Sequence, residues 1–475
     1  MTNSDNIVNP PAAGEPAETG LLYILRLWFG VTLPVSRRAY AASGCGLMLF
    51  KYGVEALVVW VMAGAANWPW DFVNPLLTMR QNLLQSGPLW LGWWMFFWSL
   101  PFLWIAISMS VRRAADAGRS PWWGLAVLVP LVNLVVMVLL ALAPTSRFAR
   151  WSPQWESEPA GQKAKSAALA VGISLFAGAA MMIVSVYLFS NYGAALFLGT
   201  PLMMGATAGF LFNRPTPRGY GASAGLGLAS VALASVGLLL FALEGFICIA
   251  MALPLLVPLG ALGGVLGKAI ADSTRHPPRD LMAALLALPM LAGAEALLSR
   301  SDTREVMTAV EIDAPPEIVW QNVVGFPELA PPTEWYFRQG IACPQRARIV
   351  GSGVGATRYC EFTTGTFVEP ITAWDEPRRL AFDVTEQPEP MFELTPYKHV
   401  HPPHLNGFLR SQRGEFRLIA LDGGRTRLEG RTWYDFRMFP QSYWTLWSDL
   451  LIHRIHERVL VHIKGLSEGV SGVRY

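Results

Sequence analysis

Apolar residues follow two unlike patterns along this chain. From about Gly44 to Leu298 they form runs of roughly 20 residues broken by short basic stretches, and after Ser299 they alternate with polar residues at a period of two. A bilayer core of about 30 Å takes about 20 residues of helix. The first pattern therefore predicts spans at 44–64, 88–111, 121–143, 166–190, 193–213, 223–243, 245–267 and 280–298. The second predicts strands over MTAVEI (Met307–Ile312), 347–351, 356–365, 366–375, 379–386, 408–421 and 424–436, then a long helix at 443–468. Gly351–Gly353 and Asp422–Gly424 are hairpin-turn signals. Residues 1–20, polar and rich in Pro and Gly, are expected to be a disordered tail. Residues 21–40 mix aromatics with Arg26, Arg37 and Arg38, which suits a helix lying at the interface. The chain thus divides into 1–20, 21–150, 151–300 and 301–475.

Composition narrows the class. Charged residues are 15% of the 475 and mean hydropathy is +0.34, against about 25% charged in an ordinary soluble domain. A disordered protein, an average cytosolic enzyme and a nucleic-acid binder are excluded; the net charge of +3 is not gathered into a basic patch. Lys and Arg do mark one set of loops: Arg112, Arg113 and Arg119; Arg147, Arg150, Lys163 and Lys165; Arg214 and Arg218; Lys268, Arg275 and Arg279. The other side has little beyond Arg80. If every basic loop is cytoplasmic, segment 121–143 must enter and leave on one side, bending around Pro130 and Asn133. That gives seven crossings and a C-terminal domain outside the cytoplasm, the version the charges favour. A full span at 121–143 gives eight crossings and a cytoplasmic domain.

Within the membrane half, FG (Phe29, Gly30), SRRAY (Ser36–Tyr40), RRAADAGRSPWW (Arg112–Trp123) and VPLVN (Val129–Asn133) stand in order. Over about residues 20–150 the chain resembles the bacterial inner-membrane domain-of-unknown-function family 805. Residues 31–35 separate FG from SRR, and Ala115 stands where that family usually has a histidine. The resemblance implies a multi-pass protein of the bacterial inner (cytoplasmic) membrane and supplies no reaction. Ionisable groups inside spans are functional candidates: Lys51 and Glu55 sit four apart and can neutralise each other, Glu244 reads as an interfacial turn residue, and Glu295 has Arg300 within reach. Gly260/Gly264, Gly263/Gly267 and Gly221/Gly225/Gly227 have the spacing of close helix contacts. GGVLGK (Gly263–Lys268) lacks the spacing and the Ser/Thr of a phosphate loop. Cys45 and Cys248 read as small core residues.

The C-terminal order of strand, short helices, antiparallel strands and long helix resembles the START/polyketide-cyclase (SRPBCC) superfamily, an α+β helix-grip fold. VEIDAPPEIVW, VEPITAWDEPRRLAFDV, GRTRLEG and the terminal helix carry the likeness. It implies a curved sheet wrapped on the helix around an apolar cavity that takes lipids or other hydrophobic molecules. No Cys-x-His with Cys-x-x-His pattern is present, which excludes the iron–sulfur oxygenase branch. Helical spacing puts Trp444, Trp447, Leu451, Ile455, Val459 and Ile463 on one stripe, with His462 inside it. Expected ligand contacts are Trp374, Phe382, Trp433, Trp447, Leu451, Ile455 and His462.

Asp449, His453 and His456 share a flank of that helix. They read as a solvated rim with an Asp–His bond, as acid–base groups together with His462, or as zinc ligands. His399, His401 and His404 in KHVHPPH form a polar rim over the cavity mouth or a weak metal site. Glu361 and Glu369 lie on strands whose facing the sequence leaves open. If the first hairpin turns at Gly351-Ser352, Val350 faces Gly353 and Cys343 comes to face Cys360, close enough for a disulfide, which would fit an oxidising compartment. The reading is a membrane-anchored START-like module binding a lipid or other hydrophobic small molecule, for transfer, sequestration or sensing, with no cofactor and no nucleic-acid partner. The alternatives are an enzyme acting on such a ligand and a transporter or scaffold.

Overall fold

The structure, a computed structural model, describes residues 20–30, 33, 35–69, 72, 88, 90–128, 132–145, 162–273, 279–298, 303–397 and 400–469. The expected tail, Arg80, Pro130, Arg300 and His399 lie outside them. Among the described residues, the membrane half contains α1 (Gly20–Phe29), α2 (Arg37–Ala63), α3 (Trp90–Asp116), α4 (Val132–Leu142), α5 (Gln162–Met182), α6 (Thr200–Asn213), α7 (Tyr220–Leu240), α8 (Phe246–Ser273) and α9 (Arg279–Leu298). π-helical turns at Ile183–Leu188 and Ala195–Gly199 extend α5 and precede α6. Among the described residues, six helical segments are long and apolar enough to cross a membrane: α2, α5 and α6 each together with its π-helical turn, α7, α8 and α9. The 27 residues of α3 rise about 40 Å.

Pro121–Leu128 and α4 both lie back against the end of α3. Pro121–Leu128 is a 3₁₀ helix of eight residues and α4 has eleven, each rising about 16 Å, half a bilayer. Going in, Gly124 lies so close to α3 that a Cβ there would stand 2.3 Å from Val111 N. Coming back, Leu140 O accepts from Arg113 Nε at 2.9 Å, and Ala143 O accepts from the same guanidinium. The chain leaves α3 just past Arg113 and returns to Arg113.

Helices α6, α7 and α8 pack backbone to backbone. A Cβ on Gly264 would stand 2.1 Å from Ser223 O, and one on Gly263 would stand 2.2 Å from Leu202 O. Gly227 and Gly267 are as tightly placed and Gly260 meets the Val231 side chain at 2.7 Å, whereas Gly221 and Gly225, expected in the same role, face open space.

The C-terminal domain is a seven-stranded antiparallel sheet in the order β1-β7-β6-β5-β4-β3-β2. Its strands are β1 (Thr303–Ile312), β2 (Pro344–Val350), β3 (Thr357–Phe362), β4 (Gly365–Asp375), β5 (Arg379–Asp383), β6 (Leu409–Leu421) and β7 (Arg425–Phe436). Short helices α10 (Pro316–Val324) and α11 (Trp335–Arg338) join β1 to β2, and α12 (Gln441–Ser467) lies against β1 and β7. This is the expected helix-grip arrangement.

The first hairpin differs from expectation. Val350 pairs with Thr357, so residues 351–356 form the loop and the register moves by four. Cys360 then faces Ala347, and Cys343 O accepts from Thr363 N. Both cysteines are free and buried. The Cys343–Cys360 disulfide is therefore corrected, and its support for an oxidising compartment falls away.

Two apolar cores matter for function. One lies inside the C-terminal domain around Ile312, Trp320, Leu380, Leu428 and Leu460. The other runs unbroken from Phe210 and Leu255 in the membrane helices, through Tyr192, to Phe436, Met438, Tyr443 and Trp444. The base of the helix-grip domain is thus packed onto the membrane helices.

Candidate functional site

The cavity between sheet and α12 has a volume of about 220 Å³. Phe382, Phe416, Leu451 and Ile455 line its middle, and at one end it reaches Cys248 and Met251 of α8. Four of the seven expected contacts line it: Phe382, Trp447, Leu451 and Ile455. Trp374 sits past a bulge in β4 and packs edge-on against Trp320 at 5.6 Å. Trp433 points to the other face, where Arg413 stacks on it at 4.1 Å. His462 meets Phe326 instead, with ring centroids 5.8 Å apart.

Polar groups enter this apolar space at few points. Arg358 on β3 and Glu369 on β4 face each other across the pair and form a buried ion pair in the lining. The guanidinium also lies 5.0 Å from the Phe382 ring and 5.4 Å from Phe416. Burial pushes the Glu369 carboxyl above its usual range, against the pull of Arg358. Arg358 Nε and Trp444 Nε1 are buried with no hydrogen-bond partner among the described residues. The sequence left the facing of Glu369 open; Glu361 lies on the outer face with Arg346 at 2.7 Å.

The Asp/His/His flank is neither a solvated rim nor a metal cluster. Asp449 accepts from Arg304 at 2.7 Å and from the Tyr434 hydroxyl. Thr308 Oγ1 lies 2.8 Å from His453 Nδ1 and 3.2 Å from His456 Nδ1, while Thr432 Oγ1 lies 2.8 Å from His456 Nε2. Both His456 nitrogens are thus occupied by threonines, and burial lowers its pKa to about 3. The same cause lowers His453 and His462. These are neutral, packed imidazoles at pH 7.

Where the domain meets the membrane half, residues far apart in sequence converge. The first two N–H groups of α8, which no helical carbonyl can satisfy, are capped from the soluble domain: Phe246 N donates to Leu394 O at 2.9 Å and Ile247 N to Glu393 Oε2 at 3.2 Å. Gly245 makes room for Glu393, since a Cβ there would stand 2.0 Å from Oε2. Phe439 N donates to Tyr192 O at 2.8 Å, and the Tyr443 hydroxyl donates to Met251 O. Glu244 is not an exposed interfacial residue but is buried, accepting from the Tyr192 hydroxyl at 2.9 Å.

His404 comes to this seam from the loop before β6. Its Nε2 lies 2.8 Å from Cys248 Sγ and its Nδ1 3.3 Å from Glu244. His401 stays outside, 2.9 Å from Glu389. The His-rich loop therefore does not gather its histidines. Sequence reasoning named Glu244, Cys248 and His404 separately and had no signal that they meet.

The remaining membrane candidates are held structurally. Lys51 pairs with Glu55, and Glu295 accepts from Ala195 N, capping the turn before α6. In the first segment, Ser36 Oγ caps α2 by accepting from Ala39 N at 3.2 Å, and the hydroxyls of Tyr40 and Ser110 lie 2.7 Å apart. Arg112 donates to Leu33 O at 3.0 Å and to Leu27 O at 2.6 Å, and Asp116 accepts from Val35 N. The motif residues Ser36, Arg112, Arg113 and Asp116 thus hold backbone, and Tyr40 holds Ser110.

No curated protein matches this chain. Among solved structures, the ZhuI aromatase/cyclase from Streptomyces sp. R1128 is similar at 17% identity, covering 36% of this chain and 100% of that one, with a TM-score of 0.24. Truncated norcoclaurine synthase from Thalictrum flavum aligns at 11% identity over 37% and 98% of the two chains, TM-score 0.25. XoxI from Bacillus cereus aligns at 13% over 36% and 99%, TM-score 0.24. In the membrane half, residues 32–153, with their Arg112–Trp123 motif, match the family described as "Protein of unknown function (DUF805)".

Proposed function

We propose that the protein is a membrane-anchored helix-grip module that takes up a hydrophobic small molecule or lipid delivered from its membrane side. The observation that carries this reading is the cavity floor: Cys248 and Met251, both in a membrane helix, line the same space as Phe382, Leu451 and Ile455. A cavity that ends on membrane helices lies close to where apolar molecules are concentrated. Arg358 Nε and Trp444 Nε1, buried without hydrogen-bond partners among the described residues, favour a ligand that carries a hydrogen-bond acceptor, because leaving such donors unpaired costs about 1–3 kcal/mol each. The fixed, neutral state of His456 argues for binding over acid–base chemistry.

The domain belongs, in this reading, on the extracytoplasmic side. It contacts the loops at Tyr192 and Glu244, whereas Arg113, Arg218 and Lys268 stand at the opposite helix ends.

The test is native mass spectrometry of the full chain released from detergent, beside Leu451→Trp and Ile455→Trp, which fill the cavity. Wild type should carry a defined hydrophobic adduct that both variants lose while keeping their elution volume. An adduct retained by both variants, or none in wild type prepared from membranes, overturns the reading.

A further inference from the structure

The seam between α8 and the helix-grip domain concentrates charge in a way its own hydrogen bonds do not balance. Glu244, Cys248 and His404 offer ligand atoms that all lie within 4.8 Å of one another. Glu393 joins them, with its side chain fully buried and Oε1 4.0 Å from His404 Nε2. Two carboxylates therefore face a single imidazole, which can neutralise one of them at most. Glu393 Oε1 and His404 Nδ1 are buried with no hydrogen-bond partner among the described residues. An orphaned carboxylate oxygen in a buried site is costly, and a divalent cation would compensate both acids at once.

We propose that Cys248 Sγ, His404 Nε2 and Glu393 Oε1 form a binding site for a transition-metal ion of the zinc class, with Glu244 orienting the histidine from behind. The donor set, one thiolate, one imidazole and one carboxylate, is of the kind zinc takes, and three protein ligands leave a fourth position open. His404 Nε2 faces the thiol and Glu393, while Nδ1 stands 3.3 Å from Glu244 without hydrogen-bond geometry; a small turn of the ring on metal binding would let it give its other N–H to that carboxylate. Tyr192, donating to Glu244, extends that outer layer into the membrane half. Around a tetrahedral ion the sulfur and nitrogen stand about 3.5 Å apart, so the pair opens by under about 1 Å on binding, and the thiol proton leaves to solvent. Because Cys248 belongs to a membrane helix and the other two ligands to the soluble domain, a bound ion joins the two halves.

Full-length protein, stripped of metal and reconstituted in detergent with cobalt(II), should show the thiolate-to-cobalt charge-transfer band in the near ultraviolet, and with zinc should retain a stoichiometric ion through gel filtration. Cys248→Ser and His404→Ala should each abolish the band and the retained zinc, while Cys45→Ser, at an exposed thiol, keeps both. Glu244→Gln leaves every ligand in place and should weaken zinc binding by about 10- to 100-fold. A wild-type protein that neither colours with cobalt nor retains zinc overturns the proposal, as does unchanged zinc in folded Cys248→Ser. Hydrophobic-adduct analysis on the same samples keeps the two readings separate, since either can fail alone.

Discussion

The two parts of the membrane region are held together by different means. In the first, from α1 to α4, charged and hydroxylic side chains reach backbone: Arg112 takes the carbonyls of Leu27 and Leu33, Arg113 those of Leu140 and Ala143, and Asp116 the N–H of Val35. In the second, α6, α7 and α8 touch backbone to backbone through glycine. The reason is backbone satisfaction. Inside a bilayer every N–H and C=O needs a partner, and the short helices α1, Pro121–Leu128 and α4 have end groups that they cannot pair themselves. Long regular helices do supply their own and are free to associate by close packing. The arginines that read as topology markers in the sequence are, at 112 and 113, also hydrogen-bond partners of backbone carbonyls.

The strongest way to break this contrast is to put a side chain where the glycines meet. Gly264→Leu drives a branched side chain into the Ser223 carbonyl, 2.1 Å from where its Cβ would start. Backbone cannot yield as a side-chain tip can, so the expected loss is about 3 kcal/mol or more. Thermal unfolding in detergent, followed by gel filtration, should find little folded protein. A variant that melts like wild type would mean that α6, α7 and α8 are loosely associated.

Next in size is Arg113→Met, which keeps the volume and removes the donors. The carbonyls of Leu140 and Ala143 lose their partner, at about 1–3 kcal/mol each. The expected cost is about 2–4 kcal/mol, with protease cleavage appearing near residues 140–145. Arg113→Lys should recover little, because an ammonium lacks the fork that spans two acceptors. If lysine restores full stability, charge alone holds these carbonyls and the first part of the membrane region does not depend on the guanidinium fork.

Much of the architecture was legible because it is written in period. Alternation located the strands of the helix-grip sheet, and the apolar runs located the helices. Register was not legible, since a six-residue loop and a two-residue turn can share the same glycines at 351–355, and that difference removed the Cys343–Cys360 pair. The stripe on α12 placed Trp447, Leu451 and Ile455 in the cavity, because helical geometry is local. Trp374 and Trp433 were misplaced, because a bulge in β4 and the facing of β7 are set by neighbouring strands. The seam cluster was out of reach for the same reason: Cys248 and His404 are 156 residues apart, and no local pattern encodes their meeting.

The smallest expected effect sharpens the comparison most finely. Gly225 and Gly264 look alike in sequence, each in a small-residue helix, and spacing alone gave both a packing role. The structure separates them: Gly264 is closed in by Ser223, whereas a Cβ on Gly225 meets nothing within 4 Å. Gly225→Ala should therefore carry no steric penalty. It should instead relieve the entropic cost of a mid-helix glycine, shifting stability by no more than about 1 kcal/mol and toward greater stability. Melting temperatures of Gly225→Ala and Gly264→Ala, measured side by side in one detergent, make the chemistry of the change identical and leave only the surroundings different. Equal shifts would mean that glycine acts in this region through helix propensity. A rise for Gly225→Ala with a fall for Gly264→Ala would mean that it acts through the contact itself.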